Sequence, residues 1–117
     1  MAPKSKTVSQ QGQAINLMAP AGSFDTLHAA IQAGADSVYL GVGKLNMRAR
    51  AAKNFASADL PEIVRLCHGA GIQCYLTVNT ILYQDEMKPM QELVALAKAA
   101  GIDAVIATDW AVLEACQ

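Results

Sequence analysis

Three times the chain reads Ala-Gly, one or two residues, then a short apolar run. The copies are Ala33-Gly34-Ala35-Asp36-Ser37-Val38-Tyr39-Leu40, Ala70-Gly71-Ile72-Gln73-Cys74-Tyr75-Leu76 and Ala100-Gly101-Ile102-Asp103-Ala104-Val105-Ile106. An amphipathic stretch with helical spacing precedes each copy. A helix that stops at glycine and feeds a buried strand is the joint of a parallel α/β sheet. The glycines lie 37 and 30 residues apart, the length of one βα unit, so one supersecondary unit recurs. An eight-stranded (β/α) barrel needs about 250 residues and seldom fewer than about 200. With 117 residues there is room for four strands and three to four helices. The expected fold is α/β: the N-terminal half of a TIM-like barrel, about four βα units with parallel strands.

Composition suits such a fold. Hydrophobic residues make up 53% of the chain and charged residues 16%, enough apolar material for a core. A net charge of −1 implies no general polyanion-binding surface. Residues 1–14 are polar and lack an apolar signal-peptide core, so they read as a disordered tail ahead of a partial barrel over residues 15–117. No apolar run is long enough to cross a membrane. Cys67, Cys74 and Cys116 lack metal-ligand spacing and read as reduced cytoplasmic thiols.

Periodicity places the elements. Strand 1 is expected over 15–18, with Ala19-Pro20-Ala21-Gly22 as a tight turn and Ser23 as a helix N-cap. Phe24, Leu27 and Ile31 give helix 1 its apolar face. Strand 2 runs from Ser37 to Leu40 or Val42. The long connection 41–55 carries Lys44, Arg48, Arg50, Lys53 and Asn54. Asp59-Leu60-Pro61-Glu62 resembles a capping box; Leu60, Ile63, Val64 and Cys67 form the face of helix 2. Strand 3 is expected over 73–78. Helix 3 begins near Asp85, its start blurred by Pro89, and buries Met90, Leu93, Val94 and Ala97. Strand 4 is expected over 104–107, and helix 4 from Trp110.

In parallel α/β folds the working face is the set of loops after the carboxyl ends of the strands. That nominates residues 20–23, 41–54 and 79–84, with Asp109 and Trp110. The joints holding Asp36 and Asp103 belong to the opposite, stabilising face. Arg48 and Arg50 have the fork geometry that binds carboxylate or phosphate; the alternative is solvated loop charge. Asn79 shares strand parity with Thr77, opposite Leu76 and Val78, which puts it toward the barrel axis. It would hydrogen-bond substrate or tie down its own loop. Asp109 would orient a cation, accept a substrate hydroxyl proton or cap helix 4. His28 and His68 read as surface histidines. Gly41-Val42-Gly43 lacks the third glycine of a dinucleotide loop.

Together, Leu17-Met18-Ala19-Pro20-Ala21-Gly22-Ser23, Gly34 to Gly41, Asn46-Met47-Arg48-Ala49-Arg50, Asn54-Phe55, Tyr75 to Thr80 and Gly101 to Asp109 resemble the N-terminal signature of the collagenase-like peptidases of unassigned mechanism, peptidase family U32. The match runs from Ile15 to about Leu113. The resemblance implies a TIM-like barrel in a bacterial cytoplasm. Family members are named proteases, and others are linked to hydroxylation of tRNA, ribosomal RNA or ubiquinone precursors, some with prephenate dependence. It implies a peptide or RNA substrate and, for some members, an iron–sulfur cluster whose cysteines lie downstream; none of the cysteines here matches them, so no cofactor and no metal is expected within this chain. Positions matching recurrent family residues are Pro20, Gly22, Tyr39, Gly41, Arg48, Asn54, Asn79 and Asp109. The expected substrate-binding set is Arg48, Asn79, Asp109, Arg50 and Asn54, with the catalytic group unassigned. The stretch alone is expected to be inactive and to self-associate through its open sheet edges. Two rivals remain: an aldolase- or isomerase-type barrel for an anionic ligand, and a non-catalytic half-barrel that oligomerises.

Overall fold

A computed structural model describes residues 15–43, 55–80 and 82–117; the polar segment 1–14 and the site candidates Arg48, Arg50 and Asn54 lie outside them. Four strands, β1 (Met18–Pro20), β2 (Ser37–Leu40), β3 (Gln73–Val78) and β4 (Ala104–Ala107), form one parallel sheet in the order β1-β2-β3-β4. Helices α1 (Phe24–Gln32), α2 (Leu60–Gly69), α3 (Met87–Ala100) and α4 (Trp110–Ala115) follow the strands in alternation. Sequential parallel neighbours, each joined through a helix, are the start of a barrel whose sheet is not closed.

The pleat assigns the two faces. Val38, Leu40, Cys74, Leu76 and Val78 share one parity and are wholly buried against the helix stripes, which include Leu27, Ile63, Cys67 and Met90. The other parity is only partly covered. Pro20, Tyr39, Tyr75 and Ala104 stand in one row across the sheet; the tyrosines are half-buried and the two end residues exposed.

Each α-to-β joint turns on a glycine at positive φ, +85° at Gly34, +72° at Gly71 and +90° at Gly101, a conformation that a Cβ would strain. The residue two places on sets the register. Asp36 donates its backbone N–H to the Leu17 carbonyl (2.7 Å), and its Oδ2 accepts from the Leu17 N–H (2.8 Å). Asp103 repeats this on Cys74, at 2.9 Å and 2.7 Å. At the middle joint Gln73 donates its backbone N–H to the Asp36 carbonyl. The helical His68 adds Nε2 to Asp103 Oδ2 at 2.9 Å.

Three boundaries differ from expectation. β1 lies at 18–20 rather than 15–18, and Pro20 is in the strand rather than in a turn. The bond from Ala21 N–H to the Tyr39 carbonyl fixes the alternation: Leu17, Ala19 and Ala21 face β2, while Pro20 faces the open edge. A missing donor there removes no ladder bond. Asp59 does not cap α2 with its side chain; it accepts from the Ala56 N–H (2.9 Å) and closes a 3-10 turn at Ser57–Asp59. Glu62 pairs with Arg65 instead of reaching back. A 3-10 turn at Gln84–Glu86 likewise precedes α3, which starts at Met87 and holds Pro89 in its first turn, where a backbone N–H has no helical acceptor.

Candidate functional site at the carboxyl end of the sheet

The loops after the four strands meet at one end. At β1, Ser23 caps α1: its Oγ accepts from the Thr26 N–H (3.2 Å), and Thr26 Oγ1 accepts from the N–H groups of Gly22 and Ser23 (3.0 Å each). These donors are satisfied internally, so the first turn of α1 is a closed cap rather than an anion cradle. At β2 the chain leaves through Val42 and returns at Phe55, which pair as a parallel bridge. Gly43 N–H donates to the Phe55 carbonyl (3.1 Å). The buried Phe55 ring stands edge-on to Phe24, centroids 5.2 Å apart. Both ends of the connection carrying Arg48, Arg50 and Asn54 are thereby anchored at the carboxyl end.

Side chains tie β3 to both of its neighbours there. Thr77 is buried, and its Oγ1 donates to the Leu40 carbonyl (3.0 Å). Asn79 is half-buried just past β3, and its carbonyl accepts from Thr108 Oγ1 at 3.3 Å. The next residue, Asp109, spans two elements. Its Oδ2 accepts from the Leu82 N–H (3.0 Å) and its Oδ1 from the Ala111 N–H (2.9 Å). Those two backbone donors, Leu82 foremost, hold its carboxyl below the usual carboxylate range. Asp109 is therefore both the N-cap of α4 and a clamp on the β3–α3 loop.

The structure brings Asn79 and Asp109 to adjacent strand ends. Sequence reading missed Thr108 and Phe55, which hold those ends in place; a hydroxyl beside Asp109 and an aromatic closing the long connection were the available signals. Among the described residues, the carboxyl-end loops carry Asp59, Asp85, Glu86 and Asp109 and no lysine or arginine. Lys44, Arg48, Arg50 and Lys53 belong to the sequence between Gly43 and Phe55 and lie outside the described residues.

The donor set does not fit an iron–sulfur cluster. Cys67 and Cys74 are buried in the core and in thiol-to-thiol contact; that contact draws Cys67 down and pushes Cys74 up, burial adding to the latter. Cys116 is exposed. Among the described residues no three His, Cys, Asp or Glu side chains cluster for a metal. None of their helices is long and apolar enough to cross a membrane.

Residues 22–117 match the family model for peptidase family U32. A collagenase of Porphyromonas gingivalis is 48% identical over 97 residues, covering 83% of this chain and 23% of the relative. A 23S rRNA 5-hydroxycytidine synthase of Escherichia coli is 35% identical over 100 residues, covering 86% of this chain and 15% of the relative. The chain thus spans less than a quarter of either relative. A solved U32 peptidase superposes with a TM-score of 0.66 at 12% identity, over 97% of this chain and 46% of that one, a likeness of fold.

Proposed function

The chain belongs to peptidase family U32, and on that premise we propose that it supplies one half of the barrel of a collagenase-like peptidase, with a polypeptide bound across the carboxyl end of the sheet. The supporting observation is the 48% identity to a named collagenase, against 35% to an RNA-modifying relative. Arg48 and Arg50 would take a substrate carboxylate, and Asn79 a backbone amide. Asn54 would line the same connection. Asp109 positions the loops around them. The catalytic group is left to the rest of the barrel. The proposed setting is the cytoplasm, in keeping with three free thiols.

A second reading has one observation in its favour. Residues 44–54 hold four cations and no acid, which suits a phosphate backbone as well as a carboxylate. An RNA substrate for hydroxylation would use the same face. Titrating the chain with gelatin-derived peptides and with an unstructured RNA oligonucleotide separates the two. The peptide reading expects saturable peptide binding that Arg48→Ala weakens by about tenfold or more, the loss of a charge-assisted hydrogen bond. Saturable binding of RNA alone, steeply salt-dependent, overturns it in favour of the second.

A further inference from the structure

We propose that Cys67 and Cys74 are an oxidisable pair that closes into a disulfide, stapling α2 to β3, with a small external disulfide such as oxidised glutathione as the oxidant. Both cysteines are wholly buried, and neither belongs to the carboxyl-end loops. Each stands on a regular element. Cys67 lies on the buried stripe of α2 with Leu60, Ile63 and Val64. Cys74 is the second residue of β3 and shares the helix-facing parity of Leu76 and Val78. Six residues, 68–73, separate the two in the chain. The backbone between them is drawn tight: Ile72 N–H donates to the Cys67 carbonyl at 2.9 Å, and Gly71 N–H to the His68 carbonyl at 3.0 Å. On the far side of β3, Asp103 N–H donates to the Cys74 carbonyl at 2.9 Å, and Asp103 Oδ2 accepts from the Cys74 N–H at 2.7 Å. With both backbones fixed in this way, the packed fold itself brings the two thiols into contact.

Two cysteines can fill a core as small hydrophobes, but contact between their sulfurs is also what a disulfide requires. In the closed fold the pair is inert. Contact with Cys67, burial and the Asp103 charge together push the Cys74 thiol up, and no reagent reaches either sulfur. The oxidant acts when the chain opens at the joint. One cysteine, as thiolate, attacks a sulfur of oxidised glutathione, forming a mixed disulfide and releasing one glutathione thiolate. As the joint closes, the thiolate of the other cysteine attacks the first cysteine's sulfur, forms the new S–S bond and releases the second glutathione. Two cysteine thiols are oxidised, one external disulfide is reduced to two thiols, and the two cysteine protons end on glutathione. Disulfides of reducing compartments are chiefly of this transient, redox-sensing kind. The bond staples the last turns of α2 to the amino end of β3, so it acts at the stabilising end of the sheet.

A redox titration of the chain carrying Cys116→Ser, which removes the exposed third thiol, tests this. The chain is equilibrated with reduced and oxidised glutathione over a series of ratios, in buffer and in denaturing urea. Each point is approached from the reduced and from the bridged chain, and bridging is read by mass as the loss of two hydrogens. The expected result is half-bridging in buffer at a value of [GSH]²/[GSSG] about tenfold or more higher than in urea, because the fold holds the sulfurs together. By linkage the bridged chain then unfolds at higher urea than the reduced chain. Equal half-bridging points in buffer and in urea overturn the proposal, as does a folded chain that stops at one bound glutathione without a bridge. A bridged chain that unfolds at lower urea than the reduced chain also overturns it, since the bond then strains a pair that is packed only as core.

Discussion

The two ends of the sheet are held together by different means. At the amino end, local backbone geometry does the work: a left-handed glycine, then a residue whose backbone N–H bonds to the neighbouring strand. At two of the three joints an aspartate returns a second bond to the same partner, Asp36 to Leu17 and Asp103 to Cys74. At the carboxyl end the bonds are individual. Thr77 reaches the end of β2 by side chain, and Thr108 and Asp109 reach two separate points of the β3–α3 loop. A repeated joint leaves little freedom for its residues. Loops held one contact at a time can differ from unit to unit, and that is where a shared fold accommodates new substrates.

The largest expected effect belongs to neither end. Leu76 lies at the centre of the sheet and is wholly buried; Leu76→Ala should cost about 2–5 kcal/mol of unfolding free energy, read by urea denaturation, and should loosen both ends together. A smaller loss, confined to one end, would mean the sheet does not couple them.

Next comes a separation of the ends. Asp103→Ala removes the acceptor for Cys74 N–H and His68 Nε2. It should cost about 1–3 kcal/mol and speed hydrogen exchange at Cys74, with amides at Leu82 and Ala111 unchanged. Exchange rising equally at both ends would dissolve the distinction.

Smaller again is the acid response of the Asp109 clamp. Its carboxyl is held down in the folded state, so the unfolded chain takes up a proton at higher pH than the folded one. The stabilisation is complete above the unfolded carboxylate range, about pH 4, and is lost as pH falls through the lower folded value. Protection of the Leu82 and Ala111 amides, corrected for the intrinsic pH dependence of exchange, should be flat from neutrality to about pH 4 and fall below it. Asp109→Asn should abolish that acid step. Thiol labelling is the mildest probe: Cys116 should react in the folded chain, while Cys67 and Cys74 react only on unfolding.

Much of this was legible in the sequence because the amino-end device is local. Ala-Gly before each apolar run fixed β2, β3 and β4, and the apolar spacing of α2 and α3 named their buried faces residue for residue. Pro20 misled because its cost depends on which way its nitrogen points, and only pairing with β2 decides that. Asp59 misled because two turns competed for one carboxylate. Asn79 and Asp109 were expected directly after strands 3 and 4, and they lie there, just past β3 and β4. That Asp109 clamps Leu82, 27 residues away, follows only from the packed fold. The cationic connection was visible as composition, and Phe55 as its anchor was not, since its partner Phe24 belongs to another unit.

The most direct test is a single binding titration, gelatin-derived peptide against Asp103→Ala and Asn79→Asp, run below the melting temperature of both. The division of labour predicts parental affinity for Asp103→Ala, despite its lower stability. It predicts a loss of about tenfold or more for Asn79→Asp, in which a donor is replaced by a charge. Parental binding by Asn79→Asp together with lost binding by Asp103→Ala would contradict the account.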